Sequence, residues 1–235
     1  MPNCITSRIP NTLTCLNLFS GCVAAVMAFQ LKYELALLFI IIGAVFDFFD
    51  GLAARALHAY SNIGKDLDSL ADDISFGLAP AVVVFSLLQE MPYPPYLQSI
   101  EPYFPYVAFL IAVFSGLRLA KFNNDTRQTT SFIGLPVPAN ALFWASLVVG
   151  FHPWLTDGTV NPLVLLVLVC LSSWLLVSEV PMFSLKFKNL SWADNKLRFL
   201  FLLVCVVLLV CLQVKGLAAC IVWYVLLSLL AGRNA

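Results

Sequence analysis

Apolar residues run through this chain in long blocks separated by short polar stretches. The blocks fall at roughly 11–30, 34–56, 67–89, 103–122, 136–152, 161–179, 198–213 and 216–232. A helix needs about 20 mainly apolar residues to cross a bilayer, so the pattern predicts an all-α, polytopic membrane helix bundle with about eight transmembrane helices. Only Gln213-Val214-Lys215-Gly216 separates the last two blocks, which predicts a tight helical hairpin. Pro10, just ahead of the first block, suits a helix start, where a missing N–H costs nothing.

Composition agrees with the pattern. The 235 residues are 61% hydrophobic and 11% charged, with mean hydropathy +0.91, against roughly 25% charged residues in a soluble domain. The formal net charge is zero, which implies no nucleic-acid partner. Seven cysteines lie mostly inside the apolar runs without C-x-x-C spacing and read as reduced packing residues. The opening MPNCITSRIPNTLT, with Asn17 breaking the apolar run that follows, does not read as a cleavable signal peptide. With eight spans, 11 of the 13 Lys and Arg fall on the side of both termini, and only Lys32 and Lys215 on the other. The positive-inside rule makes the first side cytoplasmic. The Pro- and Tyr-rich stretch around Met91–Pro105 reads as an interfacial aromatic belt with polyproline-like turns.

One stretch breaks the apolar pattern with acids. Asp47, Asp50, Asp66, Asp68, Asp72 and Asp73 are six of the 13 acidic residues, and apolar blocks flank them on both sides. Carboxylates at the edge of a bilayer are costly and usually functional. Asp47 and Asp50 are spaced i, i+3 on one predicted helix, and Asp68 and Asp72 i, i+4 on the next, so each pair shares a face. Four carboxylates at one point repel unless cations lie among them, which points to a site for two divalent ions. Gly51, Ala53 and Ala54 allow a substrate close to the backbone, and Arg55 offers a guanidinium suited to phosphate. Together these suggest a diphosphate substrate, with one carboxylate activating a hydroxyl nucleophile. Asp66 and Asp73 read as solvated or helix-terminal charges, and His58 and His152 as non-catalytic.

The spacing Asp47-x2-Asp50-Gly51-x2-Ala54-Arg55-x8-Gly64-x3-Asp68-x3-Asp72 resembles the full motif of the CDP-alcohol phosphatidyltransferase family. Four further stretches are similar to its serine-using branch. They are Pro10-Asn11-x-Leu13-Thr14-x2-Asn17-Leu18, Asp73-Ile74-Ser75-Phe76-Gly77-x2-Pro80, Arg118 to Asn123, and Phe132-x-Gly134-Leu135-Pro136-x-Pro138-Ala139. The likeness covers residues 10–140 and continues more weakly through Val177–Lys186. It implies transfer of a phosphatidyl group from CDP-diacylglycerol to the hydroxyl of L-serine with release of CMP, by a homodimer using two Mg²⁺ or Mn²⁺ ions. By the same resemblance, Asp47 and Asp68 bridge both metals, Asp50 completes the first site, and Asp72 binds the second and serves as base. Gly51, Arg55 and Ser61 contact the CDP part, and Asn11 and Thr14 line its cleft. The domain expectation is a single membrane-embedded unit over 1–235, with a catalytic core over 10–180 and a C-terminal hairpin over 198–232.

A serine substrate brings a carboxylate that needs a positive partner. Arg118 and Arg127, with Asn123 as an amide partner, are the candidates near the inner end of the fourth span. Arg118 and Lys121 also suit headgroup anchors. Two rivals remain: the same transfer to glycerol 3-phosphate or inositol, and a transporter or ion channel with buried acids. The Ser75-Phe76-Gly77 extension counts against the first. The Gly, Ala and Arg positions of the motif count against the second.

Overall fold

The computed structural model describes residues 8–59, 61–125, 132–182 and 192–231. Helix α1 (Arg8–Phe29) turns at Gln30–Lys32 into α2 (Tyr33–Ala56), and the two pack along their length. The third rod is continuous from Asn62 to Glu90. It comprises α3 (Asn62–Asp72), a π-helical turn (Asp73–Leu78) and α4 (Ala79–Glu90). A 3₁₀ turn (Phe104–Phe109) leads into α5 (Leu110–Asn124), followed by α6 (Val137–Thr156) and α7 (Pro162–Val177). Helix α8 (Trp192–Leu212), kinked at Asn195, and α9 (Val214–Ala231) close the described chain.

Among the described residues five helices are long and apolar enough to cross a membrane: α1, α2, the Asn62–Glu90 rod, Phe104–Asn124 and Asn195–Leu212. Pro162–Val177 and Val214–Leu230 are apolar but shorter. Helix α6 carries Asn140, His152 and Pro153 within its 20 residues. Each of the eight apolar blocks contains helix, but among the described residues only five helices qualify as membrane spans by length and apolarity. The tight C-terminal hairpin is present: Gln213, at φ +50°, is the sole residue between α8 and α9.

Small and polar residues line the inside of the bundle. On α1 the buried positions include Thr14, Asn17, Gly21, Ala24 and Ala28, while Phe19 and Val26 point outward. Such a stripe lets backbones approach closely where the bilayer supplies no hydrophobic drive to association. At Gly21 a Cβ would stand 2.6 Å from the Ser75 Cα, so α1 can meet the π turn only through glycine. Ser75 Oγ then donates to the Asn17 carbonyl at 2.8 Å. Every residue of Ala79–Leu88 is buried, which puts α4 at the centre.

Two short stretches far apart in sequence meet beside the bundle. Phe132–Ile133 (β1) pairs antiparallel with Pro181–Met182 (β2), and Gly134 and Leu135 N–H donate to the Val180 and Leu175 carbonyls. This clamps the start of α6 to the end of α7. On the opposite side, Tyr33 donates to Glu90 at 2.5 Å, and His152 Nε2 lies 3.2 Å from the same carboxylate oxygen. His152 is thus remote from the acidic stretch. The Pro- and Tyr-rich stretch after Glu90 differs from expectation. Leu97, Ile100 and Tyr103 N–H each donate to the carbonyl three residues back, giving successive turns. A polyproline segment would lack such bonds.

Candidate active site

The carboxylates converge where α2 ends and α3 runs beside it. Asp47 and Asp50 stand on the last turns of α2, and Asp68 and Asp72 on the last turns of α3. Oxygens of Asp47, Asp50 and Asp68 all lie within 4.8 Å of one another. Asp72 follows one turn after Asp68 and carries like charge toward Asp47, Asp68 and Asp50. Two hydrogen bonds from α1 fix the ring of acids. Thr14 Oγ1 donates to Asp50 Oδ2 at 2.6 Å, and Asn17 Nδ2 donates to Asp72 Oδ1 at 3.2 Å. Asn17 is fully buried, with its Oδ1 unpartnered among the described residues. Oxygen-only donors gathered this way suit hard divalent cations such as Mg²⁺ and Mn²⁺.

Next to the acids lies a cavity of about 220 Å³. Asn11, Thr14, Asp50, Gly51, Ser61 and Asp68 line it, together with Gly64 and Lys65. Ser61 caps α3 by accepting from the Gly64 N–H at 3.0 Å, an ordinary helix N-cap. Arg55 is not part of this lining. It is exposed, and its guanidinium folds back to within 3.6 Å of where a Gly51 Cβ would stand.

Arg118, Asn123 and Arg127 do not form one group. Arg118 is 7% exposed, sits over the Phe122 ring at 4.9 Å, and leaves Nη2 unpartnered among the described residues. It lies within electrostatic reach of Asp72 and borders a second cavity of about 320 Å³, shared with Lys121, Asn124 and Ser178. Asn123 borders neither cavity. Its Nδ2 donates to Ser69 Oγ at 2.7 Å and its carbonyl accepts from Lys65 Nζ at 3.1 Å, tying α5 to α3. Lys121 Nζ donates to the Val177 carbonyl at 3.1 Å and so caps the end of α7. Arg127 lies outside the described residues.

Three residues gain a place here that the motif reading did not give them. Asn17 holds Asp72, and its signal was a polar residue inside an apolar block. Lys65 borders the first cavity directly after the motif glycine. Asp73 is half-buried: its Oδ1 is enclosed without a partner among the described residues, close to the backbones of Gly77 and Gly116.

Residues 7–183 match the family model for CDP-alcohol phosphatidyltransferase. A CDP-diacylglycerol–serine O-phosphatidyltransferase of Bacillus subtilis is 34% identical over 173 residues, covering 73% of this chain and 88% of the relative. A protein of the same name from Mycobacterium tuberculosis is 33% identical, covering 74% of this chain and 60% of its own. An archaetidylserine synthase of Methanothermobacter thermautotrophicus is 33% identical, covering 63% and 62%. The matched stretch thus spans most of the Bacillus relative but less than two thirds of the mycobacterial and archaeal ones.

Proposed function

The chain belongs to the CDP-alcohol phosphatidyltransferase family, a family of phosphotransferases, and from that premise we propose that it moves a phosphatidyl group from CDP-diacylglycerol to the hydroxyl of L-serine, giving phosphatidylserine and CMP. The observation that carries this reading is the convergence of Asp47, Asp50 and Asp68 beside a cavity lined by the motif's small and polar residues. Serine as acceptor is supported by the names of the relatives.

In this reading Asp47 and Asp68, with Asp50 and Asp72, would hold two divalent ions. Such ions, when bound, neutralise the diphosphate and stabilise charge on the departing CMP. Thr14 and Asn17 keep Asp50 and Asp72 in place, as outer partners of ligating carboxylates do. With Oδ1 of Asp72 held by Asn17, Oδ2 takes the proton of the serine hydroxyl. The hydroxyl oxygen forms its bond to the lipid-side phosphorus, and the bond from that phosphorus to CMP breaks. The CDP part occupies the 220 Å³ cavity, with Lys65 and the Arg55 guanidinium available to its phosphates. Arg118 receives the serine carboxylate. Asn123 acts indirectly, by fixing α5 against α3, and Arg127 remains a candidate for the same pocket.

The enzyme is further proposed to be one domain with a catalytic core over 10–180 and a hairpin over 198–232. It works as a homodimer in the cytoplasmic membrane with its active site facing the cytoplasm. The charge bias of 11 to 2 supports that orientation.

The test is CMP release from CDP-diacylglycerol by the purified full chain with Mg²⁺ or Mn²⁺. L-serine, glycerol 3-phosphate, inositol and no acceptor are compared. Release that depends on serine is the expected result. Release with another alcohol alone would reassign the acceptor, and none with any would remove the transferase reading.

A further inference from the structure

The family match ends at residue 183, so the hairpin of α8 and α9 lies beyond it. Helix α9 packs along α6 in the opposite direction. Lys215 at its start meets Gly150 near the end of α6, and Leu229 near its end shares a cavity with Asn140 in the first turn of α6. Two apolar cavities follow this seam, about 670 Å³ toward Lys215 and 490 Å³ toward Asn140. Both are lined by Phe143, Val222 and Leu226, so they adjoin along the seam, the first bounded also by α8 and the second by α7. The 18 residues of α9 measure about 27 Å, close to the ~30 Å hydrocarbon thickness of a bilayer. Leu171 and Trp174, on its rim, are half exposed, so the groove opens sideways toward lipid. At the far end the Lys215 ammonium lies 5.0 Å from the Phe151 ring centroid and marks the limit of the groove.

Few polar groups interrupt this apolar lining: Ser172, Lys215, the indole of Trp223 and Asn140. Asn140 is fully buried, borders the 490 Å³ cavity, and has neither Nδ2 nor Oδ1 partnered among the described residues. Trp144 and Ser172 are engaged elsewhere: Trp144 Nε1 donates to Ser172 Oγ at 3.1 Å, and Ser172 Oγ donates to the Val169 carbonyl, while Trp223 Nε1, in the other cavity, is also unpartnered among the described residues. An unpaired buried amide is costly, and packing alone would be served by leucine. Asn140 stands in the first turn of α6, on the bundle side that carries the Asp cluster.

We propose that this groove binds one acyl chain of a diacyl glycerophospholipid, with the chain's ester carbonyl accepting a hydrogen bond from Asn140 Nδ2. The lipid comes from the leaflet on the Asp-cluster side. This site lies between α6, α7, α8 and α9, away from the cavity assigned to CDP between α1, α2 and α3, and it does not depend on the acceptor alcohol.

Native mass spectrometry of the detergent-purified full chain tests it, titrating diacyl phosphatidylglycerol and its ether-linked counterpart, which lacks the carbonyls. Wild type is expected to hold one ester lipid and to bind the ether lipid about fivefold more weakly. Asn140→Leu should bind the two alike, with the lipid-free protein at least as heat-stable as wild type. Leu171→Trp, which fills the mouth of the groove, should weaken both lipids. Wild type that does not discriminate ester from ether would overturn the proposal. So would an Asn140→Leu variant that keeps the preference or is markedly less heat-stable when lipid-free, since the amide would then have a partner within the protein.

Discussion

The Asn62–Glu90 rod and the Asn195–Leu212 helix are built on opposite plans. The first begins with Asp66, Asp68, Asp72 and Asp73, and 72% of its most apolar stretch is buried inside the bundle. The second is the more apolar of the two, yet only 11% buried, with Leu203, Val206 and Val210 facing outward. In water this ranking would be reversed. In a bilayer, lipid receives large apolar side chains as readily as a protein core does, so the interior goes to small residues that pack closely and polar groups that pair. Polar and small positions inside apolar blocks therefore mark the working centre, and uninterrupted apolarity marks the rim.

The contrast can be broken most directly at the acids. Asp47→Asn or Asp68→Asn should lower CMP release by about a thousandfold, on the scale of losing a key electrostatic group. The variants should still insert and fold. Near-normal turnover at saturating Mg²⁺ or Mn²⁺ would remove the metal reading. Next comes Arg118, a buried cation in the second half of α5. Arg118→Ala should cost on the order of 1.5–3 kcal/mol, or about ten- to a hundredfold in kcat/KM for serine, with little change in KM for CDP-diacylglycerol. Unchanged serine kinetics would make it an anchor for the membrane surface. Gly21→Val tests packing alone. Its side chain would press on Ser75, and overpacking of this kind costs about 1–3 kcal/mol, read as a lower unfolding temperature in detergent. At the rim, Val210→Leu, at a position 76% exposed, should change stability by no more than about 0.5 kcal/mol. An effect there as large as at Gly21 would show that the hairpin's outer face is covered by protein.

Much of this was legible in the sequence because the informative residues are polar exceptions in an apolar text. The helical segments follow the apolar blocks, and the spacing of Asp47, Asp50 and Asp68 was enough to bring them together. Thr14, Asn11 and Ser61 meet the same cavity because their motifs flank it. Other features depend on geometry that spacing cannot encode. Arg118 and Asn123 are five residues apart on one helix, hence about 140° apart around it, and they serve different neighbours. Asp73 sits beside a motif acid and looks like surface charge, but the π turn directs it inward against α5. Proline and tyrosine after Glu90 suggested polyproline-like turns, whereas the turns that form there satisfy the backbone with i to i−3 hydrogen bonds. The unpaired amide of Asn140 could not be seen at all without the faces of α6, α7 and α9.

The π turn has a consequence for what this chain can lose. Each residue of a helix turns the chain by about 100°, and a π turn closes its hydrogen bonds one residue later than an α turn. The facing of Asp68 and Asp72 relative to the buried face of α4 is thus set by the length of Asp73–Leu78. Composition there is constrained by the close contact of Ser75 with α1, but length is constrained more severely. Removing one residue would leave every side chain of the motif in the sequence and swing the carboxylates away from α2. The segment works as a spacer whose unit is rotation, and an alignment gap inside it would count for more than any substitution.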